Sequence, residues 1–210
     1  PYAVINDFDF LTSQDPEVSR EGLVEAVKVS LVKDADFFQW IRRAADRLLT
    51  LDREALEECV ERSALAHAKH IAQGGDPFET GSSRPLDFGH WAAHKLEQLS
   101  DYRVSHGRAV SIGVALDTLY SVHCGLLREH EGEQVIDLLE NLNLPIWDDD
   151  MDQRDASGRR KIHSGLEEFR EHLGGELTVL LLCKLGQGQD VHHLDEGLVD
   201  KCLDELKQRH

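Results

Sequence analysis

From Gly107 to Cys124 the sequence carries small or apolar residues on nearly every face of a helix, with Ala109, Val110, Ile112, Gly113, Val114, Ala115, Leu116 and Leu119 spread around it. A helix that is apolar all round has no side to offer to water, so it belongs at the centre of its domain. The other elements must wrap it. A chain of 210 residues is long enough to do so in one sizeable domain. Apolar periodicity and caps predict helices over about 21–33, 35–49, 52–73, 89–98, 131–142, 166–172 and 197–208. The first has Leu23, Val27 and Leu31 on one face and Ser19 or Asp15 as its cap. Residues 1–11 read as extended or loop. Residues 74–85 are rich in Gly, Ser and Pro and cannot be helical throughout. The one strand-like run is 177–184, followed by Gly186-Gln187-Gly188. The expected fold is mainly α, a single domain over 1–210, with at most a hairpin or strand near the C-terminus.

The formal charge is −17, from 23 basic and 40 acidic side chains. Such a surface repels nucleic acid and anionic lipid, so neither is expected as a partner. The longest apolar run, Val179–Cys183, is far too short to span a bilayer. No basic segment followed by an apolar one opens the chain, so no secretory leader is read and a cytoplasmic setting is expected. The chain starts at Pro1 and reads as a processed or excerpted piece. Cys59, Cys124, Cys183 and Cys202 make no C-x-x-C pair and are expected as free thiols in a reducing compartment. An anionic small molecule would need a local cluster of cations, or a metal, to bind here.

Three short stretches stand out among the twelve histidines and their surroundings. In Gly22–Lys28, Glu25 interrupts an apolar turn and Lys28 follows three residues later on the same face; by itself this is a surface ion pair. In Gly89–Glu97, His90 and His94 are spaced i and i+4 and project to one side of a helix, a spacing that converges on a metal or a phosphate as readily as it serves a structural role. Trp91 stands where the H-E-x-x-H protease signature has its Glu. Third, His106 precedes Gly107 at the entry to the buried helix, where a His is ordinarily a capping or surface residue. Together, a Glu and two His from separate segments form an O/N/N ligand set with coordination positions left for substrate.

The order G-x-x-E-x-x-K, F-G-H-x-x-x-H-x-x-E and H-G-x-A-V-x-I-G, at Gly22–Lys28, Phe88–Glu97 and His106–Gly113, resembles the C-terminal domain of the 3-dehydroquinate synthase family of sugar-phosphate cyclases. The resemblance implies that Glu25, His90 and His106 bind a divalent metal, zinc or cobalt. It implies that Lys28 and His94 line the substrate pocket and, with Asp87, take part in catalysis, and that Asp87 and Arg84 are further substrate contacts. Asp87 stands where the synthase usually has Asn, and is read as a hydrogen-bond acceptor for a substrate hydroxyl. Arg84 lies one place off the Arg that meets the substrate carboxylate. These departures resemble a branch related to the sedoheptulose 7-phosphate cyclases, whose substrate has no carboxylate. The upstream pocket Lys of the family has no clear counterpart; His67, Lys69 and His70 lie in its neighbourhood.

The implied chemistry is transient NAD-dependent oxidation of a phosphorylated sugar, phosphate elimination, return of the hydride and intramolecular aldol closure to a carbocycle. It implies a homodimer, and an N-terminal NAD-binding domain that this chain does not contain. No strand–Gly-rich loop–helix unit of the dinucleotide type is present in the sequence, and the isolated chain is expected to be inactive. Two other readings stand beside this one: a metal-dependent oxidoreductase of the glycerol dehydrogenase kind, and a helical interaction domain whose site has decayed.

Overall fold

The structure, a computed structural model, describes residues 5–73, 85–172 and 175–210. Eight helices are described: α1 Pro16–Lys33, α2 Ala35–Leu49, α3 Arg53–Gln73, α4 His90–Leu99, α5 His106–His123, α6 Glu129–Asn141, α7 Ser164–His172 and α8 Glu196–Arg209. A hairpin of β1 Val179–Lys184 and β2 Gln187–Val191 lies between the last two. Helix α5 is the axis. Every residue from Ala109 to Ser121 is buried, and α1, α4, α6, α8 and β1 all pack on it. The expected mainly helical fold with a terminal hairpin is what forms.

Local chemistry accounts for most element bounds. Helix α1 begins at Pro16, five residues before the apolar pattern predicts. Asp15 is its cap: the Asp15 carboxylate accepts from Glu17 N–H at 2.8 Å, and proline is tolerated at the first helical position because its missing N–H would go unpaired there anyway. Asp34 and Asp52 cap α2 and α3 in the same way, accepting from Phe37 N–H at 2.9 Å and Ala55 N–H at 3.0 Å. Helix α2 then buries Phe37, Phe38, Ile41, Ala44, Ala45 and Leu48 along one stripe. Residues 8–13, of which 8–11 are expected as extended or loop, form a 3-10 turn capped by Asp7. Gly186, at φ +81, makes the tight turn of the hairpin. Its N–H donates to Leu31 C=O at 2.8 Å and ties the hairpin to α1. The Gly186-Gln187-Gly188 sequence is therefore the end of a hairpin turn and the first two residues of β2.

Two close backbone approaches set how α1 and α4 sit on α5. A Cβ on Gly113 would come within 2.0 Å of Gly89 C=O, and one on Gly107 within 2.9 Å of Glu21 C=O. The first brings the start of α4 against the middle of α5; the second brings the start of α5 against α1.

The acidic run 148–152 is a 3-10 turn that engages the protein's own cations. Arg103 reaches Asp148 and Asp150, each at 2.7 Å. The buried Arg160 donates to Asp152 at 2.9 Å, Asp200 at 3.0 Å and Asp204 at 2.5 Å. His163, also buried, lies 3.0 Å from Asp200. This network clamps the segment before α7 onto α8. All four cysteines are unpaired.

Gly113→Ala is expected to cost at least ~2 kcal/mol in urea denaturation, because the added methyl meets backbone that cannot move aside as a side chain would. Asp152 is held down to about 2, by Lys207 first, with Arg160 adding to it. A depressed carboxylate stabilises the fold above its unfolded pKa and loses that contribution as pH falls toward its folded value. Asp152→Asn is therefore expected to lower stability by roughly 1–2 kcal/mol at pH 7. The gap to the wild type should close between pH 4 and pH 2 in denaturant titrations.

Candidate metal centre

Glu25 from α1, His90 from the first position of α4 and His106 from the first position of α5 converge. One ligand atom from each lies within 4.8 Å of the others. The His90 and His106 ring centroids are 5.6 Å apart, and His94 is 5.4 Å from His90 and 6.0 Å from His106. The two close approaches on α5 explain the convergence. Gly107 against Glu21 puts Glu25, one turn further along α1, beside His106. Gly113 against Gly89 puts His90 on the same side.

The donor atoms are prepared for a cation. His90 Nδ1 is 3.3 Å from Phe88 C=O and Nε2 is 3.4 Å from Lys28 Nζ. Donation from Nδ1–H to the carbonyl leaves the Nε2 lone pair pointing into the site. Burial pushes His90 down to about 4, and the nearby Lys28 ammonium adds to the effect. The ring is therefore neutral at pH 7, as a ligand must be. Lys28, 3% exposed, pairs with Glu25 Oε2 at 2.7 Å. The other oxygen, Glu25 Oε1, is buried with no hydrogen-bond partner among the described residues. An unpaired buried carboxylate oxygen is costly, and a cation satisfies it. One carboxylate and two imidazoles suit zinc or cobalt, so the donor set fits the expected ion.

Glu97, to which the sequence reading gave no role, supports this set. Its Oε1 lies 3.3 Å from His106 Nδ1, which orients the ring and leaves Nε2 to the site. Its position three residues after His94 was the available signal. His94, Glu97 and His106 also form a second cluster with atoms within 4.8 Å. The unpaired oxygen of Glu25 favours the first cluster, in which Glu97 acts through His106.

Two open clefts border the cluster. One, of about 390 Å³, is lined by Asp87, Trp91, His94, Glu97, Tyr102 and Phe169. The other, of about 340 Å³, is lined by Glu25, Lys28, Val29, His67 and Leu86. The expected substrate residues thus divide: Asp87 and His94 face the first cleft, and Lys28 the second. His67, near the place of the family's pocket Lys, joins Lys28. Arg84 lies outside the described residues, as does the side chain of His70.

A further group escaped the sequence reading. Asp117 is a fully buried acid in the apolar α5. It accepts from Gly89 N–H and from Trp91 Nε1–H, each at 2.9 Å. Burial pushes it up to about 7, against the pull of these two donors. A lone acid in so apolar a helix was the signal.

A family profile described as 3-dehydroquinate synthase C-terminal matches residues 22–159. The chain is 33% identical over 206 residues to a 3-dehydroquinate synthase of Methylococcus capsulatus, covering 97% of this chain and 55% of that protein. It is 35% identical over 145 residues to one of Pyrobaculum aerophilum, covering 69% and 41%. The chain thus spans about half the length of the relatives it matches. Among solved structures, ValA, a 2-epi-5-epi-valiolone synthase of Streptomyces hygroscopicus with NAD+ and Zn2+ bound, is similar with a TM-score of 0.85 at 26% identity, over 97% of this chain and 55% of that one. A 2-deoxy-scyllo-inosose synthase complexed with carbaglucose-6-phosphate, NAD+ and Co2+ shares the fold with a TM-score of 0.67 at 17% identity, over 95% of this chain and 55% of that one.

The chain is expected to take up one zinc or cobalt ion in equilibrium dialysis. Glu25→Ala, His90→Ala and His106→Ala should each weaken uptake by more than ~100-fold, and Glu97→Gln by ~10–100-fold. His94→Ala should leave it nearly unchanged; a loss there equal to that of His106→Ala would move the ion to the second cluster.

Proposed function

Because the chain belongs to the 3-dehydroquinate synthase family, matching its C-terminal domain, we propose that it is the metal- and substrate-binding half of a sugar-phosphate cyclase. The observation that carries this reading is the convergence of Glu25, His90 and His106 beside Lys28 and His94. In this reading Glu25, His90 and His106 hold zinc or cobalt, the ions named with the two similar synthases. When bound, such an ion offsets negative charge developing on substrate hydroxyls. NAD is assigned to a nucleotide-binding domain outside these 210 residues, and the active form is read as a cytoplasmic homodimer. No described helix is long and apolar enough to cross a membrane.

Each side chain then has a task set by its surroundings. Lys28 bonds Glu25 with one of its three N–H groups; its contact with His90 Nε2 gives way when that nitrogen's one lone pair goes to the ion, which leaves N–H groups to offer a phosphate or hydroxyl oxygen. His94 is exposed at the cleft and close to the centre, placed to hold or pass a proton near the leaving phosphate. Asp87 accepts a hydrogen bond from a substrate hydroxyl or steadies a ligand ring. Arg84 is assigned to substrate binding from its place in the sequence. The reaction in this reading is oxidation of one carbon, elimination of phosphate, return of the hydride and aldol ring closure. Asp87 in place of Asn, with Arg84 displaced by one residue, favours sedoheptulose 7-phosphate over a carboxylated heptulosonate phosphate.

With NAD, zinc and sedoheptulose 7-phosphate, the chain joined to its nucleotide-binding domain is expected to release inorganic phosphate without net NADH, while the 210-residue chain alone releases none. Net NADH without phosphate would instead indicate a simple oxidoreductase. His94→Ala should lower kcat by ~10²–10⁴-fold with metal content unchanged.

A further inference from the structure

We propose that Asp117 is a positioning residue for His90, holding the start of α4 in the one orientation that aims this ligand at the metal. The proposal rests on the metal-centre reading above. Helix α4 has no side-chain cap of its own: Gly89 stands at its N-cap, at φ +78, with no side chain to turn back on the first-turn N–H groups. A helix start left this way has unpaired donors and a partial positive charge. Asp117 supplies an acceptor at this helix start from another helix, for the N–H of the cap residue itself. Its Oδ2 takes Gly89 N–H and its Oδ1 takes Trp91 Nε1–H, each at 2.9 Å.

The geometry is specific to His90. The two anchored residues are those immediately before and after it. Residue 117 lies one helical turn beyond Gly113, whose Cα packs against Gly89 C=O. The backbone contact fixes the distance between the helices, and the carboxylate fixes the rotation of α4 about its own start. Trp91 is 2% exposed, and adjacent side chains on a helix project about 100° apart, so holding its indole holds the direction in which His90 points. Asp117 touches none of the three ligands. Its effect on the metal passes through Gly89 and Trp91, much as carboxylates behind ligating histidines act through the ring.

The two bonds make unequal demands on a substitution. Asp117→Asn keeps shape and volume but turns one acceptor into a donor, which then faces either Gly89 N–H or the indole N–H. Trp91→Phe keeps an aromatic ring in the core and removes only the indole bond. Asp117 is buried behind the site, and Trp91 borders the first cleft, so the Trp91 variant is judged on metal binding and not on turnover.

The test is zinc affinity by chelator competition, with the visible spectrum of the cobalt-loaded chain, for wild type, Asp117→Asn, Trp91→Phe and His90→Ala. Circular dichroism at the assay temperature establishes that each metal-free variant is folded. The expected result is a ~10–100-fold loss of zinc affinity in Asp117→Asn, a smaller loss in Trp91→Phe, and altered cobalt bands in both. Wild-type affinity and bands in folded Asp117→Asn overturn the proposal. If that variant does not fold, wild-type affinity and bands in Trp91→Phe overturn it. Wild-type binding that is lost in His90→Ala but kept in both anchor variants removes this inference alone. A wild-type chain that takes up no metal removes the metal-centre reading and this inference with it.

Discussion

Helix α5 can serve as the axis of the domain because two neighbours approach its backbone at distances no side chain permits. At Gly113 the carbonyl of Gly89 occupies the space a Cβ would need, and at Gly107 the backbone of Glu21 does the same. Contacts of this kind place helices to within a few tenths of an ångström, since neither partner has a rotamer to adjust. Both lie within two turns of His106. The candidate ligands Glu25 and His90, on different helices and 65 residues apart in sequence, are therefore brought together by packing of the core. A site carried on helices is held more precisely than one carried on loops.

The polar groups of the centre form a chain of dependencies. Phe88 C=O selects the tautomer of His90, Glu97 steadies His106, and the Lys28 ammonium lies between Glu25 and His90. Burial and the charge on Lys28 both keep His90 neutral. Behind this layer Asp117 bonds the flanks of His90. The centre is thus built from three helices and backed by a fourth set of contacts inside α5, and two separate clefts border it.

At the far end the Arg160 network does a different job. Asp152, Asp200 and Asp204 surround one buried guanidinium and join the irregular stretch before α7 to the last helix. Part of the strongly acidic composition is used here internally. The acidic run 148–152 is held as a 3-10 turn by Arg103, Arg160 and Lys207 folded onto it.

By itself the sequence determined the class of fold, the central place of α5, most helix bounds and the identity of the three metal-ligand candidates. These follow from local rules. Periodicity marks a buried face, Asp and Gly mark ends, and ligand residues must be of a few types at spacings a helix can present. Where local signals overlapped, the reading slipped: α1 begins at the Asp15–Pro16 cap, and the apolar pattern from Leu23 placed it later. Tertiary structure alone decided the rest. The burial of Lys28, the pairing of Glu97 with His106, the reach of Asp117 to Gly89 and Trp91, and the division of the substrate residues between two clefts all join segments distant in the chain. A linear pattern carries no distance between such segments. Only packing of α1 and α4 onto α5 sets those distances, and with them the electrostatics of the site.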